Sequence, residues 1–396
     1  MLAERMSKFS GSPTSALIAR VTQLRSEGKD IISLNVGEPD YGTPHYIKTA
    51  GIKAIVDDFT KYTPGNGILE LRRAIADKLR DDNGLEYGVD EICAAVGAKQ
   101  AIFSAVMALC GEGDEVLLPV PCWVSYTEMV RLAGAKPVFV QVREDAGFTL
   151  DMDAIEAAIT PRTKAIIICT PNNPSGAVYS EQSLRRLGEL ACKHDFYIIA
   201  DEIYEKLIYD GEKHFSIAAV SKEVWNRTVT VNGFSKAYAM TGWRIGYAAA
   251  RKEIVKAIAA LQSQTTSSTS AISQKAAVAA LRGPQHDLAE MLREFEKRRT
   301  YVTERLNAIP GISCAVPKGA FYLLPDVSAY FGKACEGVVI HNAMELAAFI
   351  LEKAQVALVP GEAFNIENKV RISYSNSMEN LKKALDRIEQ ALSLLK

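Results

Sequence analysis

Between about residue 90 and residue 250 the apolar positions of this chain gather into short, nearly continuous runs. They are ICAAV (92–96), EVLLP (115–119), PVFVQV (137–142), AIIICT (165–170), FYIIAD (196–201), RTVTVN (227–232) and IGYAAA (245–250). Unbroken runs of this length, unlike alternating ones, mark strands buried on both faces. Helical spacing separates many of them, as with Ala101–Leu109 after ICAAV and Leu184, Leu187, Leu190 and Ala191 before FYIIAD. The alternation predicts an α/β fold in which helices cover both faces of a mostly parallel sheet. Ligands of such sheets bind beyond the carboxyl ends of the strands, so chemically useful residues are expected just after these runs.

The flanking pattern is different. Ahead of this region it predicts a helix over Ser15–Glu27, a strand at IISLNVG and an irregular turn at GEPDYGTP. A helix over Tyr46–Asp57 follows, then another with Ile68, Leu71, Ile75 and Leu79 on one face. Behind it, a charged helix over 285–308 turns Leu288, Met291, Leu292, Phe295, Val302 and Leu306 to one side. Strands GISCAV and AFYLLP, a helix over Met344–Lys353, strands VALVPG and VRISYS, and a final helix striped by Leu381, Leu385, Ile388, Leu392 and Leu395 complete the chain. These make a smaller α+β unit. The expected division is a large domain of residues 46–289 and a small one of 1–45 with 290–396. The polar run QSQTTSSTS (262–270) reads equally as a flexible linker and as a loop near the active site or a subunit contact.

Composition narrows the function classes. The 396 residues carry 46 Lys+Arg against 47 Asp+Glu, a net charge of -1. Without a basic patch, nucleic acid and membrane surfaces are poor partners. No apolar stretch approaches the roughly 20 residues of a membrane helix, and MLAERMSKFSGSPTS lacks the apolar centre of a secretory signal. The seven cysteines form no CxxC pair and several sit in apolar runs, which suits a reduced cytoplasm. Five scattered histidines show no metal-ligand spacing, so no metal site is expected.

Candidate chemistry does fall after the strands. Gly97-Ala98-Lys99 opens a helix, whose free N–H groups suit a phosphate. Asn173, in PNNPSG, is held in a stiff loop where its amide can donate to a phenolate-like oxygen. Asp201 ends FYIIAD, and a carboxylate buried there needs a cationic partner such as a protonated pyridine nitrogen. Tyr204 lies three residues on. Lys236 follows Ser235 after RTVTVN, and burial would make it a reactive amine. Arg244 supplies a fixed cation for a phosphate, and Arg371, inside VRISYS, one for a carboxylate. Taken singly each has a plainer reading: a strand–helix connection, an Asn-Pro turn, a helix cap, a surface lysine, a structural ion pair.

Their order and placement together resemble the class I, fold-type-I pyridoxal-phosphate aminotransferases. The resemblance runs over nearly the whole chain, through GEPD, KYTPGNGILELR, GDEVLLP, PNNPSG, DEIY, SKAYAMTGWRIG and VRISYS. Through PCWVSYTEMVRLAG and DEIYEKLIYDGEKHFS it is most like the bacterial aspartate aminotransferase subgroup that includes prephenate aminotransferases. It implies a three-layer αβα large domain around a seven-stranded sheet, with a smaller α+β domain. The implied cofactor is pyridoxal 5'-phosphate, and the implied reaction is ping-pong amino transfer from an L-amino acid, aspartate first, to 2-oxoglutarate. By the same resemblance Lys236 is the Schiff-base lysine and proton carrier, Asp201 the pyridinium partner, and Asn173 and Tyr204 ligands of the phenolic oxygen. Arg244 holds phosphate with Ser235 and the Gly97–Lys99 turn. Arg371 clamps the α-carboxylate, Trp123 stacks on the ring and Gly37 lines the substrate loop. Tyr62 reaches the neighbouring subunit's phosphate, which implies a homodimer with shared active sites. Aromatic or prephenate amino transfer, a β-lyase reaction and a cofactor-binding regulatory module are the alternatives. Two positions depart from the family: Gly233 stands where many members have a phosphate-binding serine. Ser10-Gly11-Ser12-Pro13-Thr14 lacks a lysine that helps hold a dicarboxylate, although Lys8 is near.

Overall fold

The computed structural model describes residues 13–396. Helix α1 (Pro13–Ser26), strand β1 (Ile32–Ser33) and helices α2 (His45–Val56) and α3 (Leu69–Asn83) come first. On α3 the buried face is Leu71, Ala74, Ile75 and Leu79, and a left-handed Gly84 ends the helix. The alternating region follows as β2 (Ile92–Ala95), α4 (Gly97–Leu109), β3 (Glu115–Val120), α5 (Val124–Leu132), β4 (Lys136–Gln141), α6 (Met152–Ala158), β5 (Thr163–Cys169), α7 (Glu181–His194), β6 (Tyr197–Asp201), α8 (Lys222–Arg227), β7 (Thr228–Gly233) and β8 (Gly246–Ala249). Helix α7 shows why these segments fold locally as they do. Ser180 caps it by accepting from the Ser183 N–H, and its apolar stripe of Leu184, Leu187, Leu190 and Ala191 faces inward.

These strands form one seven-stranded sheet in the order β2-β8-β7-β6-β5-β3-β4. All neighbours are parallel except β8, which runs against both β2 and β7. Strands β2, β3, β7 and β8 are buried at every residue, as their unbroken apolar composition requires. Edge strand β4 keeps most of its side chains at least partly in solvent. Because β2, β5, β6 and β7 point the same way, the residues that follow them meet at one edge of the sheet.

Helices α9 (Lys252–Thr265), α10 (Ala271–Arg282) and α11 (His286–Ala308) lead to the last third. There β9 (Tyr322–Leu323), a hairpin of β10 (Ala334–Cys335) and β11 (Val338–Val339), α12 (Ala343–Ala354), β12 (Val356–Ala357), β13 (Val359–Pro360), β14 (Val370–Ser373) and α13 (Met378–Leu392) build a small α+β layer. Its sheet is antiparallel, in the order β13-β14-β9. The amino-terminal segment is tied to it because β1 pairs in parallel with β12, Ile32 against Val356. One apolar core runs through both parts, from Ile32 and the sheet to Leu395.

Several sequence expectations need correction. GISCAV is no strand, since only the isolated bridge of Ser313 to Asp326 forms there. IISLNVG keeps just Ile32–Ser33 as strand, and VALVPG splits into β12 and β13, which belong to different sheets. Apolar composition cannot show where a chain leaves one ladder for another. Helix α4 begins at Gly97, ahead of the expected Ala101, and α13 stops before Leu395, which packs beyond its end. QSQTTSSTS is not a flexible linker at its start: Gln262 to Thr265 close α9. The Gln262 amide is buried and donates to the carbonyls of Gly65 and Ala94. Lys8 and Ser10-Gly11-Ser12 lie outside the described residues. Among the described residues no helix is long and apolar enough to cross a membrane.

Candidate active site

A cavity of about 310 Å³ opens at the carboxyl ends of the parallel strands. Lys236 lies three residues beyond β7 and lines the cavity, half-buried. Its Nζ donates to the Gly37 carbonyl, so the amine and the substrate-loop glycine touch before any ligand arrives. Burial and the nearby Arg371 lower its pKa from 10.5 to about 8, against the opposing pull of Glu38 and Asp201. An ammonium that sheds its proton so easily is available as a nucleophile and a base near neutral pH.

Asp201 is the last residue of β6 and is buried. Its Oδ2 accepts from the Tyr126 hydroxyl at 2.6 Å and its Oδ1 from the Ile203 N–H at 3.2 Å. Burial still raises its pKa from 3.8 to about 6, the two hydrogen bonds working the other way. No basic side chain forms an ion pair with it among the described residues, so the carboxylate has capacity for a cation brought by a ligand. Tyr204, on the turn after β6, places its hydroxyl 2.9 Å from that of Tyr322.

Asn173 stands on a loop braced by Asn172, whose Oδ1 accepts from the backbone N–H and the hydroxyl of Ser175, at 3.1 Å and 2.9 Å. The Asn173 Oδ1 accepts from Nη1 of Arg371 at 3.0 Å. That leaves the amide's NH2 as the group free to donate. Arg371 is 4 % exposed in β14, and its Nη2 donates to the Asn35 carbonyl at 2.8 Å. Its Nε is buried with no partner, and no carboxylate pairs with the guanidinium among the described residues. The ion-pair reading of this arginine therefore fails. A buried cation without a counter-ion is costly, and an anionic ligand relieves the cost.

Arg244 has a left-handed backbone (φ 52°) and donates to the carbonyls of Thr241 and Val96. Its guanidinium lies so close to Gly97 that a Cβ there would come within 2.6 Å of Nη2, and Gly97 itself has φ +80°. Only glycine meets both demands. The arginine is thus held beside the first turn of α4, where Ala98 and Lys99 line the cavity together with Ser235. Trp123 lines it too, with the Lys99 Nζ 4.8 Å from its ring centre. Gly233 does not line it. A Cβ there would lie 3.1 Å from the Gly246 Cα and 3.2 Å from the Ile245 carbonyl, so the packing of β7 on β8 favours glycine. Tyr62 is not brought in either, being 92 % exposed on the surface of its own chain.

Sequence reasoning missed four contributors: Tyr126, Cys169, Tyr322 and the Asn35 carbonyl. Tyr126 had a signal, one helical turn beyond Trp123 on α5. Behind the Asp201–Tyr204 turn, Glu202, Glu205 and His214 come within 4.8 Å of one another, the one group of metal-ligating types among the described residues. Their charges are engaged already, Glu205 by Lys78 and Asn83 and Glu202 by His214 and Ser216.

The family model for aminotransferases of class I and II matches residues 29–388. The chain belongs to this family. It is 44% identical to the aspartate aminotransferase of Geobacillus stearothermophilus, with 98% of each chain covered. It is 45% identical to a probable aspartate/prephenate aminotransferase of Aquifex aeolicus, covering 99% of this chain and 98% of the relative. The crystal structure of the Rhizobium meliloti aspartate aminotransferase superimposes with a TM-score of 0.97 at 44% identity over 100% of both chains. The protein is therefore an aminotransferase enzyme of α/β architecture, and the family works with pyridoxal phosphate.

The residues present fit that cofactor. The group needs an amine to bind its aldehyde, a carboxylate for its ring nitrogen, donors for its phenolic oxygen and a cationic cradle for its phosphate. Within one cavity this aminotransferase offers Lys236, Asp201, Asn173 with Tyr204, and Arg244 beside a helix start.

Proposed function

We propose that this chain transfers the amino group of L-aspartate to 2-oxoglutarate by a ping-pong mechanism, as a cytoplasmic homodimer. The observation that carries the reading is Arg371, buried, lacking a counter-ion among the described residues, and opening on the same cavity as Lys236 and Asp201. When bound, pyridoxal phosphate supplies an electron sink that weakens the substrate's α-C–H bond. Asp201 keeps the ring nitrogen protonated. The Asn173 NH2 and the Tyr204 hydroxyl donate to the phenolic oxygen, and Trp123 covers the ring. Arg244, Ser235 and the Gly97–Lys99 turn hold the phosphate. Arg371, aimed by Asn173 and the Asn35 carbonyl, takes the α-carboxylate. Lys236, displaced by the substrate amine and neutral above about pH 8, removes the α-proton and returns it.

The choice of aspartate rests on a count of cations. With Arg244 given to phosphate and Arg371 to the α-carboxylate, the Lys99 side chain over Trp123 is left to meet a second carboxylate. Relatives named as aspartate aminotransferases, 44% identical over nearly full length, agree with it. Support for the homodimer comes from Ile52, Ile55 and Val56 on α2, exposed near Tyr62 in sequence, an apolar surface suited to a second copy. Seven unpaired cysteines suit the cytoplasm. We assign residues 46–289 to the cofactor-binding unit and 1–45 with 290–396 to the smaller one.

Half-reactions test the reading. Protein loaded with pyridoxal phosphate is mixed in turn with aspartate, glutamate, phenylalanine, tyrosine and alanine, and conversion of the cofactor to its amine form is followed by absorbance. Fastest conversion by the dicarboxylic amino acids, slowed selectively by Lys99→Ala, is expected. Conversion by none, or release of pyruvate and ammonia without a 2-oxo acid, overturns the proposal.

A further inference from the structure

Tyr322 comes from β9 of the small sheet, yet its side chain ends in the cavity built by the large one. Its hydroxyl lies 2.9 Å from that of Tyr204, and the two rings meet edge to face with centres 5.8 Å apart. The Arg371 guanidinium lies 4.5 Å from the Tyr322 ring centre. A Cβ on Gly37 would come within 2.8 Å of the Tyr322 oxygen, so this hydroxyl is enclosed by Tyr204 and the Gly37 backbone. Both tyrosines are buried.

Two hydroxyls carry two protons, and the single hydrogen bond between them uses one. The other must point elsewhere, and which oxygen keeps it depends on which tyrosine donates. Burial weakens both as acids. Both hydroxyls are therefore held in the protonated form. In the function proposed above the Tyr204 proton is committed to the phenolic oxygen. The Tyr204 oxygen is left to accept, and the enclosed Tyr322 hydroxyl 2.9 Å away is the group placed to donate to it. Its proton goes to the Tyr204 oxygen, and the Tyr204 proton is left for the cavity.

We propose that Tyr322 is a positioning residue that donates to Tyr204 and so aims the Tyr204 proton at the phenolic oxygen of the bound cofactor. Its ring stays beside Arg371, so one side chain from the small sheet supports both the proton donor and the carboxylate clamp. The inference rests on the function proposed above and deepens it by one residue that contacts the cofactor only through Tyr204.

The test is a pH titration of the near-ultraviolet to visible absorbance of the cofactor bound to Lys236, in wild type, Tyr322→Phe, Tyr204→Phe and the double variant. A donor to the phenolic oxygen draws off its charge and makes the nitrogen joining lysine to cofactor less basic. Tyr204→Phe therefore raises the titration midpoint. Tyr322→Phe, which removes one oxygen and keeps the ring, raises it by part of that shift, and the double variant moves no further than Tyr204→Phe alone. kcat falls in Tyr322→Phe with KM for aspartate unchanged, because the ring beside Arg371 remains. A Tyr322→Phe protein that melts like wild type and titrates like wild type overturns the proposal, as do two shifts that simply add. Wild type that forms no absorbing complex overturns the function itself, a separate and recognisable result.

Discussion

Nη1 of Arg371 donates to Oδ1 of Asn173 across 3.0 Å, joining the small antiparallel sheet to the loop that follows β5. The bond fixes two things together. It orients the guanidinium toward the cavity, and by occupying the amide oxygen it turns the Asn173 NH2 outward as a donor. Replacing Arg371 by leucine removes a buried cation that no carboxylate pairs with among the described residues, and it leaves Asn173 free to rotate. KM for amino and 2-oxo acid substrates alike should rise roughly 10²–10³-fold, the scale of losing one partner of a buried charge pair. Arg371→Lys should recover little of this, since an ammonium cannot reach Asn173, Asn35 and a carboxylate with fixed forks. Steady-state kinetics on both half-reactions checks it.

Lys236→Ala should abolish amino transfer and the absorbance of the lysine-bound cofactor without weakening the fold. Its folded pKa is depressed, so its contribution to stability is present above the unfolded value of 10.5 and lost as pH falls through about 8. At pH 7 the buried ammonium therefore opposes folding. The cofactor-free variant should melt at or above the wild-type temperature in calorimetry.

Asp201 has the opposite dependence. Its carboxyl is raised from 3.8 to about 6, so its stabilising contribution is complete below pH 4 and is lost as pH climbs through 6. Asp201→Asn should make cofactor-free protein more stable at pH 8, by about 1–3 kcal/mol at the scale of 1.36 kcal/mol per unit. The gap should close in melts at pH 4. Cofactor affinity should fall steeply in the same variant, separating the residue's cost to the fold from its use in the site.

Tyr126→Phe removes the 2.6 Å bond that partly offsets burial at Asp201. The Asp201 pKa should then rise above 6. Binding of pyridoxal phosphate to the cofactor-free protein, measured against pH, should weaken at a higher pH than in wild type. The loss at neutral pH should be about 1.5–3 kcal/mol, the scale of a hydrogen bond to a charged group.

Gly233→Ser restores the side chain common in the family and should not improve phosphate binding. The added atoms meet the Gly246 backbone and Ile203 instead of the cavity. A loss of about 1–3 kcal/mol, as for other overpacked sites, with unchanged cofactor affinity is expected from denaturant titration and fluorescence.

Much of this site could be read along the chain because an α/β sheet converts sequence order into position. Residues just after buried parallel strands meet at one edge, which places Ala98 and Lys99 of the first turn of α4 with Asn173, Asp201 and Lys236 around one cavity. Apolar runs marked all seven strands of the large sheet, including edge strand β4, most of whose side chains stay at least partly in solvent. The short strands of the smaller sheet were less legible: GISCAV is as apolar as a strand but finds only one bridge.

The sequence by itself determined the α/β class and the strand ends where chemistry could sit, and it named the lysine, aspartate, asparagine and arginines as candidates. Tertiary structure alone decided what those groups are paired with. That Arg371 has no counter-ion among the described residues, that Tyr126 bonds Asp201, that Tyr322 reaches Tyr204 and that Gly233 is packed away from the cavity all depend on contacts between distant segments. Spacing along a chain reports periodicity and burial, whereas charge compensation and proton direction are set by which side chains the fold brings within 3 Å of one another.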